Sequence, residues 1–293
     1  MNTVGLKKLI GYVRLIRPIN CLMMGFAVIV GAVLADVSAL SSRQMPSLIS
    51  GFLTGFLLTA ASMAINDYYD REIDAINEPS RPIPSGLIKP TEALTLAGLL
   101  SVLGLVAAGL TNCIAVVPCI ITAFIFWLIS ISYVTFGKST GFPGNLMVSA
   151  CVSAPFIYGS LAISGSVQSN IWIFVSMVFL SNTGREITKG IVDIQGDKAR
   201  NIKTVAVLYG EKKAAAVAVL FHLLAVALTP LPPLLNLVSP WFTPAVIVTD
   251  AGLIMSSVKL LKNPSRKNAK RIKKQVLGWF LTGLIAFLLG SLG

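Results

Sequence analysis

The chain has 293 residues, of which 55% are hydrophobic and only 12% charged, with a mean hydropathy of +0.79. A soluble domain carries roughly twice that charged fraction, so the composition excludes a pair of soluble domains and points to one integral-membrane domain over residues 1–293. The net charge of +12 would suggest nucleic acid in a soluble protein. In so apolar a chain it fits a positive-inside loop bias and anionic ligands or lipid head groups, with no nucleic-acid partner.

Residues 1–18 carry Lys7, Lys8, Arg14 and Arg17, with Leu6, Ile10, Val13 and Ile16 at helical spacing. This predicts an amphipathic lead-in helix at the membrane surface. No signal-peptide cleavage site precedes a soluble body, so the first apolar run reads as a retained span. Crossing a hydrocarbon core of ~30 Å takes about 20 helical residues. Runs of that kind fall at 20–40, 48–66, 91–111, 113–135, 143–163, 169–190, 212–235, 241–261 and 275–292. They predict an all-α, polytopic bundle of nine transmembrane helices around a central apolar cavity.

The Lys/Arg distribution supports that count. With the N-terminus inside, the inner loops and their flanks hold Arg71, Arg81, Lys89, Lys138, Lys189, Lys198, Arg200, Lys203, Lys212 and Lys213, then the run Arg266, Lys267, Lys270, Arg271, Lys273 and Lys274. The opposite loops hold only Arg43. A wrong count would scatter these charges over both sides. Between spans two and three, Pro79, Pro82, Pro84, Gly86 and Pro90 predict a shaped loop, because proline fixes φ and removes a donor.

Eight of the 12 acidic residues lie in two clusters: Asp67, Asp70, Glu72, Asp74 and Glu78 after span two, and Glu186, Asp193 and Asp197 after span six. If span two continues as helix, Asp67, Asp70 and Asp74 share a face at i, i+3 and i+7, with Asn66 beside Asp70. Glu186, Lys189, Asp193 and Asp197 share a face of the second segment in the same way, unless Gly196 breaks that helix. Carboxylates so spaced repel one another unless a cation neutralises them. Mg²⁺ suits them, being hard, oxygen-seeking and given to bridging one or two carboxylates to substrate phosphates. Two such helix ends on one membrane side predict a site for Mg²⁺ and a diphosphate, with both clusters facing the cytoplasm. The competing readings are a solvated loop and a cation-coupled transporter, whose carboxylates usually lie near the membrane midplane.

At these residues the chain resembles the UbiA family of membrane prenyltransferases. Asn66, Asp67, Asp70 and Asp74 match the family's Asn-Asp-x-x-Asp-x-x-x-Asp, and Asp193 and Asp197 match its Asp-x-x-x-Asp. Arg17, Pro18 and Asn20 are similar to the family's first-helix Arg-Pro-x-Asn, and Tyr133 with Lys138 to its Tyr-x-x-x-x-Lys. One departure is Gly190, where many relatives carry an acid.

The resemblance implies a nine-helix fold and a Mg²⁺-dependent enzyme with a prenyl diphosphate donor. The loop Asn77-x-Pro79-x-Arg81-Pro82-Ile83-Pro84-Ser85-Gly86 is most similar to members that move a geranylgeranyl group onto sn-3-O-(geranylgeranyl)glycerol 1-phosphate, a step of archaeal ether-lipid synthesis. An aromatic acceptor is the alternative. The resemblance implies Asp67, Asp70, Asp74, Asp193 and Asp197 as metal ligands and Asn66, Arg81, Lys138 and Lys189 as diphosphate contacts. Asn20 would sit near the allylic carbon, and Asn66, Asp70, Asp193, Lys189 and Asn20 would form the catalytic set. A lipid-phosphate acceptor calls for a second cationic patch, for which Arg71, Lys198, Arg200 and Lys203 are candidates.

Other residues carry plainer expectations. Phe126, Tyr133 and Tyr158 could face a developing cation. Cys21, Cys113, Cys119 and Cys151 fit no zinc spacing and read as packing residues. His222, the single histidine, reads as packed, and Asp250 as a mid-span acid with a polar neighbour. The Lys/Arg run over 259–274 reads as topology and lipid contact.

Overall fold

A computed structural model of the chain describes residues 3–111 and 115–292. Its helices are α1 (Thr3–Ile16), α2 (Pro18–Ala35), α3 (Met45–Asn77), α4 (Pro90–Gly109), α5 (Val116–Thr135), α6 (Phe142–Ser164), α7 (Ile171–Ala199), α8 (Val205–Leu228), the single turn α9 (Leu231–Leu234), α10 (Phe242–Lys262) and α11 (Arg266–Ser291). There is no strand among the described residues. Eight helices, α2 to α6, α8, α10 and α11, are long and apolar enough to cross a membrane. The remaining long helix, α7, has 29 residues, but its inward face carries Asn182, Arg185, Glu186, Lys189 and Asp193. These polar groups lower its hydropathy without shortening it. Cys113, expected as a packing residue, lies outside the described residues.

The principal departures from the predicted spans are at helix ends. α3 runs 33 residues and continues as helix through the first acidic cluster. α7 likewise runs through the second, and Gly196 does not break it. α8 begins at Val205, ahead of the predicted span, where Thr204 Oγ1 accepts from the Val207 amide at 3.3 Å. That is a standard N-cap for a threonine. Gly210, at φ 80°, then bends the helix.

α1 lies at the end of the bundle that carries the proline-rich loop. Leu6, Leu9, Ile10 and Val13 are exposed, as an interfacial helix requires. On its other side Leu15 is fully buried, and Lys8 Nζ donates to Glu92 at the start of α4 at 2.5 Å. Leu15 packs with Ala64, Ile65, Ile83, Ile88 and Ala93, so the proline-rich loop folds down onto α1, α3 and α4.

α2 and α6 cross closely. A Cβ on Gly31 would stand 2.5 Å from the Phe156 Cα, and one on Gly159 would overlap the Val28 carbonyl. Small residues at such crossings let helix backbones approach, which is how membrane helices gain packing where lipid supplies no hydrophobic drive. Around this crossing α2, α3, α5, α6, α7 and α11 surround a cavity. α4 packs outside α3 and α5, and α8 and α10 pack outside α7 and α11. Cys21 and Cys119 are buried and Cys151 is half-buried, all three as free thiols in packing positions. His222 is fully buried, its imidazole filling a notch at Gly184. Asp250 Oδ2 accepts from Thr229 Oγ1 at 2.7 Å, which supplies the expected polar neighbour.

Candidate active site

Two helix ends whose acids lie 123 residues apart in the chain (Asp70 and Asp193, Asp74 and Asp197) meet across one chamber. Asp70 and Asp74 of α3 and Asp193 and Asp197 of α7 all line a cavity of about 780 Å³. Above them Asn20, Thr59, Ser62, Phe126, Ser130 and Tyr133 line its middle, and Val28, Leu58 and Trp127 its deeper apolar part. Polar chemistry thus sits at the mouth, with space for hydrocarbon behind it.

Each carboxylate of α3 has a cationic partner. Lys138, carried by the turn after α5, donates to Asp70 Oδ2 at 2.5 Å and to Asn66 Oδ1 at 2.8 Å. Asn66 Nδ2 donates to the same Asp70 oxygen at 3.0 Å, closing a triangle. Burial pulls the Lys138 ammonium below the ordinary lysine range, against the opposing pull of Asp70. Arg81 donates to Asp74 and reaches Asp67 at 3.5 Å. Its place is set by the loop, whose Ile83 and Ile88 are buried and whose Ile88 amide donates to the Pro82 carbonyl at 2.9 Å.

Arg17 donates to Asp67. It stands between α1 and α2 at φ 52°, a left-handed conformation unusual outside glycine. Pro18 begins α2 directly after it. A non-glycine residue in that region costs about 1–3 kcal/mol and persists where its surroundings enforce it. Here the enforcement is an ion pair to a buried acid.

On the α7 side Glu186 is 5% exposed. It accepts from Arg185 Nη1 at 2.9 Å and from Lys189 Nζ at 3.1 Å. Asp193 and Asp197 make no ion pair among the described residues. Gly141, at φ 73°, lies against the Lys203 carbonyl, where a Cβ would not fit. This contact pins the loop after α7 to the turn bearing Lys138.

Among the described residues, no three His, Cys, Asp or Glu side chains stand close enough to hold a metal ion by themselves. The donor set still fits Mg²⁺. It consists of carboxylates on two sides of one cavity, and Mg²⁺ commonly takes one or two protein carboxylates and completes its shell with water and substrate phosphate.

The structure redraws part of the predicted site. Asp67 is 3% exposed and does not line the chamber. It is paired with Arg17 and Arg81, both of which line the chamber. Of the predicted acceptor-phosphate residues only Arg200 lines the cavity. Arg71 instead lies over the Tyr68 ring at 4.6 Å and reaches Glu72 at 3.4 Å. Lys198 and Lys203 are also outside the lining. Asn20, Asn66, Asp70, Asp74, Arg81, Lys138, Lys189, Asp193 and Asp197 all line it, as do Phe126, Tyr133 and Tyr158.

Residues that sequence reasoning missed as site residues are Arg17, Arg185, Arg266, Lys270 and Lys273, all of which line the same cavity. The last three come from the run that read as lipid contact.

Residues 24–288 match the UbiA prenyltransferase family, and the chain belongs to it. Over 99% of its length it is 34% identical to the digeranylgeranylglyceryl phosphate synthase of Archaeoglobus fulgidus, which it covers completely (100%). A solved structure concerning digeranylgeranylglyceryl phosphate synthase in membranes is 32% identical, with a TM-score of 0.76 over 97% of this chain and 98% of that one. A UbiA homologue from Archaeoglobus fulgidus bound to DMAPP and Mg²⁺ shares the fold at 18% identity, with a TM-score of 0.68 over 94% of this chain and 98% of that one.

Proposed function

We propose that this chain is a single-domain, Mg²⁺-dependent geranylgeranyltransferase of the cell membrane. It would move a geranylgeranyl group from geranylgeranyl diphosphate onto the glycerol hydroxyl of sn-3-O-(geranylgeranyl)glycerol 1-phosphate. The names of its full-length relatives support the reaction, and a fold relative bound to DMAPP and Mg²⁺ supports the cofactor. The observation that carries the reading is the convergence of Asp70, Asp74, Asp193 and Asp197 at the mouth of one chamber with apolar depth behind it. The clustering of inner-loop cations beside them supports a cytoplasmic mouth.

Asp70 and Asp74 on one side, and Asp193 and Asp197 on the other, would hold the ion. Mg²⁺, when bound, supplies positive charge to the diphosphate oxygens. Lys138, Arg81, Lys189 and Asn66 are placed to take the remaining diphosphate charge as it develops, the point at which fixed cations lower a barrier most. As the C–O bond to diphosphate lengthens, the allylic carbon becomes cationic and faces Tyr133, Phe126 and Asn20. The acceptor hydroxyl oxygen then bonds to that carbon, and its proton passes to the departing diphosphate. The apolar walls keep out water, which would otherwise capture the same cation.

The carboxylates sit at inner helix ends instead of at broken helices in mid-membrane, which supports an enzyme over a cation transporter. The test is to supply geranylgeranyl diphosphate and Mg²⁺ with either geranylgeranylglyceryl phosphate or an aromatic carboxylate, and to identify the product by mass. The diether phosphate is expected. A prenylated arene alone would move the protein to the aromatic branch, and ion flux without diphosphate release would favour transport.

A further inference from the structure

Arg266, Lys270 and Lys273 fall at i, i+4 and i+7 of α11, and all three line the chamber mouth. Their neighbours Lys267, Arg271 and Lys274 do not. The run is therefore two faces, one turned to the lipid and water side and one turned into the site. Arg266 Nε donates to the Val192 carbonyl at 3.0 Å, which fixes the guanidinium beside α7. No ion pair engages these three cations among the described residues. Arg185 adds a further cation on the same side, its Nε buried without a partner.

The same stripe then turns apolar. Leu277 and Phe280 continue it along the chamber, and Gly283, Leu284 and Phe287 line a second pocket of about 100 Å³. Met23, Met24, Val152 and Phe280 border both spaces and so form the partition between them. The α2/α6 crossing divides the apolar depth into two bays, one against α3 and α5 and one against α7, α8, α10 and α11. From Lys273 to Phe287 the helix rises roughly 20 Å. The methionines at the junction are flexible enough to give way to a chain.

We propose that the prenylated glycerol phosphate acceptor lies along α11. Arg266, Lys270 and Lys273 grip its phosphate, and its isoprenoid tail enters the second bay, leaving the α3/α5 bay to the donor tail. This rests on the function proposed above. Phosphate recognition by clustered Lys and Arg is chemically ordinary. What is specific here is one helix face that changes from cationic to apolar in the same direction as the ligand.

The test compares the variant R266Q/K270Q/K273Q with the charge-matched control K267Q/R271Q/K274Q, in neutral detergent. The stripe variant should raise KM for the acceptor phosphate by about tenfold or more, with KM for geranylgeranyl diphosphate unchanged and the control near wild type. With geranylgeranylglycerol, which lacks the phosphate, wild type and stripe variant should converge. Gly283→Leu should further penalise acceptors in proportion to tail length. Equal behaviour of the stripe and control variants would overturn the proposal. So would a rise in donor KM alone, a Gly283→Leu penalty that tracks donor length, or an effect confined to vesicles containing anionic lipid. Wild-type protein that rejects the acceptor altogether would refute the proposed function itself, which is a separate result.

Discussion

Lys138 donates to Asp70 at 2.5 Å across 68 residues of sequence and so ties the turn after α5 to the C-terminal part of α3. The pair is partly buried, and Asn66 bonds both members. The loss of either member therefore affects two things, the charge available to a diphosphate and the fit of two helices.

Replacing Asp70 by Asn should reduce prenyl transfer by more than about 100-fold, the scale of losing one electrostatic stabiliser at a reacting centre. It also leaves Lys138 buried beside an uncharged amide, which costs about 1–3 kcal/mol. A double cycle with Lys138→Met separates the two effects. The stability costs should be sub-additive, because the residues share one network. Additive losses in thermal unfolding would show that the contact contributes nothing.

Arg81→Lys should behave much like Arg81→Ala. Arg81 reaches both Asp74 and Asp67 through Nη1, so its planar guanidinium can pair with those acids and still turn other N–H groups to a diphosphate, which a single ammonium does less well. Both variants should raise KM for the prenyl diphosphate by about tenfold. Full rescue by lysine would reduce Arg81 to a point charge.

Chelation of divalent ions should abolish transfer with little change in the unfolding temperature in detergent. Asp67, Asp70 and Asp74 already have Arg17, Arg81 and Lys138 as counter-charges, so folding does not depend on an ion to neutralise α3. A fall in the unfolding temperature of about 10 °C or more on chelation would contradict this, since ligand linkage would then carry much of the stability.

Gly159→Leu should destabilise the bundle by more than about 2 kcal/mol, because overpacking a tight contact forces backbone movement. The α2/α6 crossing leaves no room there for even a Cβ. Gly98, whose Cβ would meet nothing within 4 Å, should accept the same change with little loss. Thermal unfolding of the two variants side by side decides it.

A cysteine placed at Ser85 or Ser139, in the loops beside the chamber mouth, should react with a membrane-impermeant thiol reagent only from the cytoplasmic side. Labelling from the outer side would invert the topology.

Most of this architecture was legible in the chain because apolar runs and scarce charges leave few alternatives. Asp70, Asp74, Asp193 and Asp197 stood out because acids are rare and helical spacing places each pair on one face. For Asp67, spacing gives a face but not a depth. It is buried by Arg17, which reaches it from a turn 50 residues away. The α11 stripe was hidden for a related reason. Six cations in nine residues look alike in sequence, and only the burial of Ala269, Ile272 and Val276 decides which of them turn inward. Arg185 was overlooked because it lies inside an apolar run, where its cost in lipid is offset only by Glu186 and the polar cavity.

The central claim is that acids from α3 and α7 act on one ion together with the donor diphosphate. Mn²⁺ can stand in for Mg²⁺ at oxygen sites, so its binding in the presence of geranylgeranyl diphosphate can be followed by electron paramagnetic resonance. Asp70→Asn and Asp193→Asn should each weaken that same Mn²⁺ signal, although they lie on opposite walls. Loss of the signal in one variant with unchanged binding in the other would contradict a shared site.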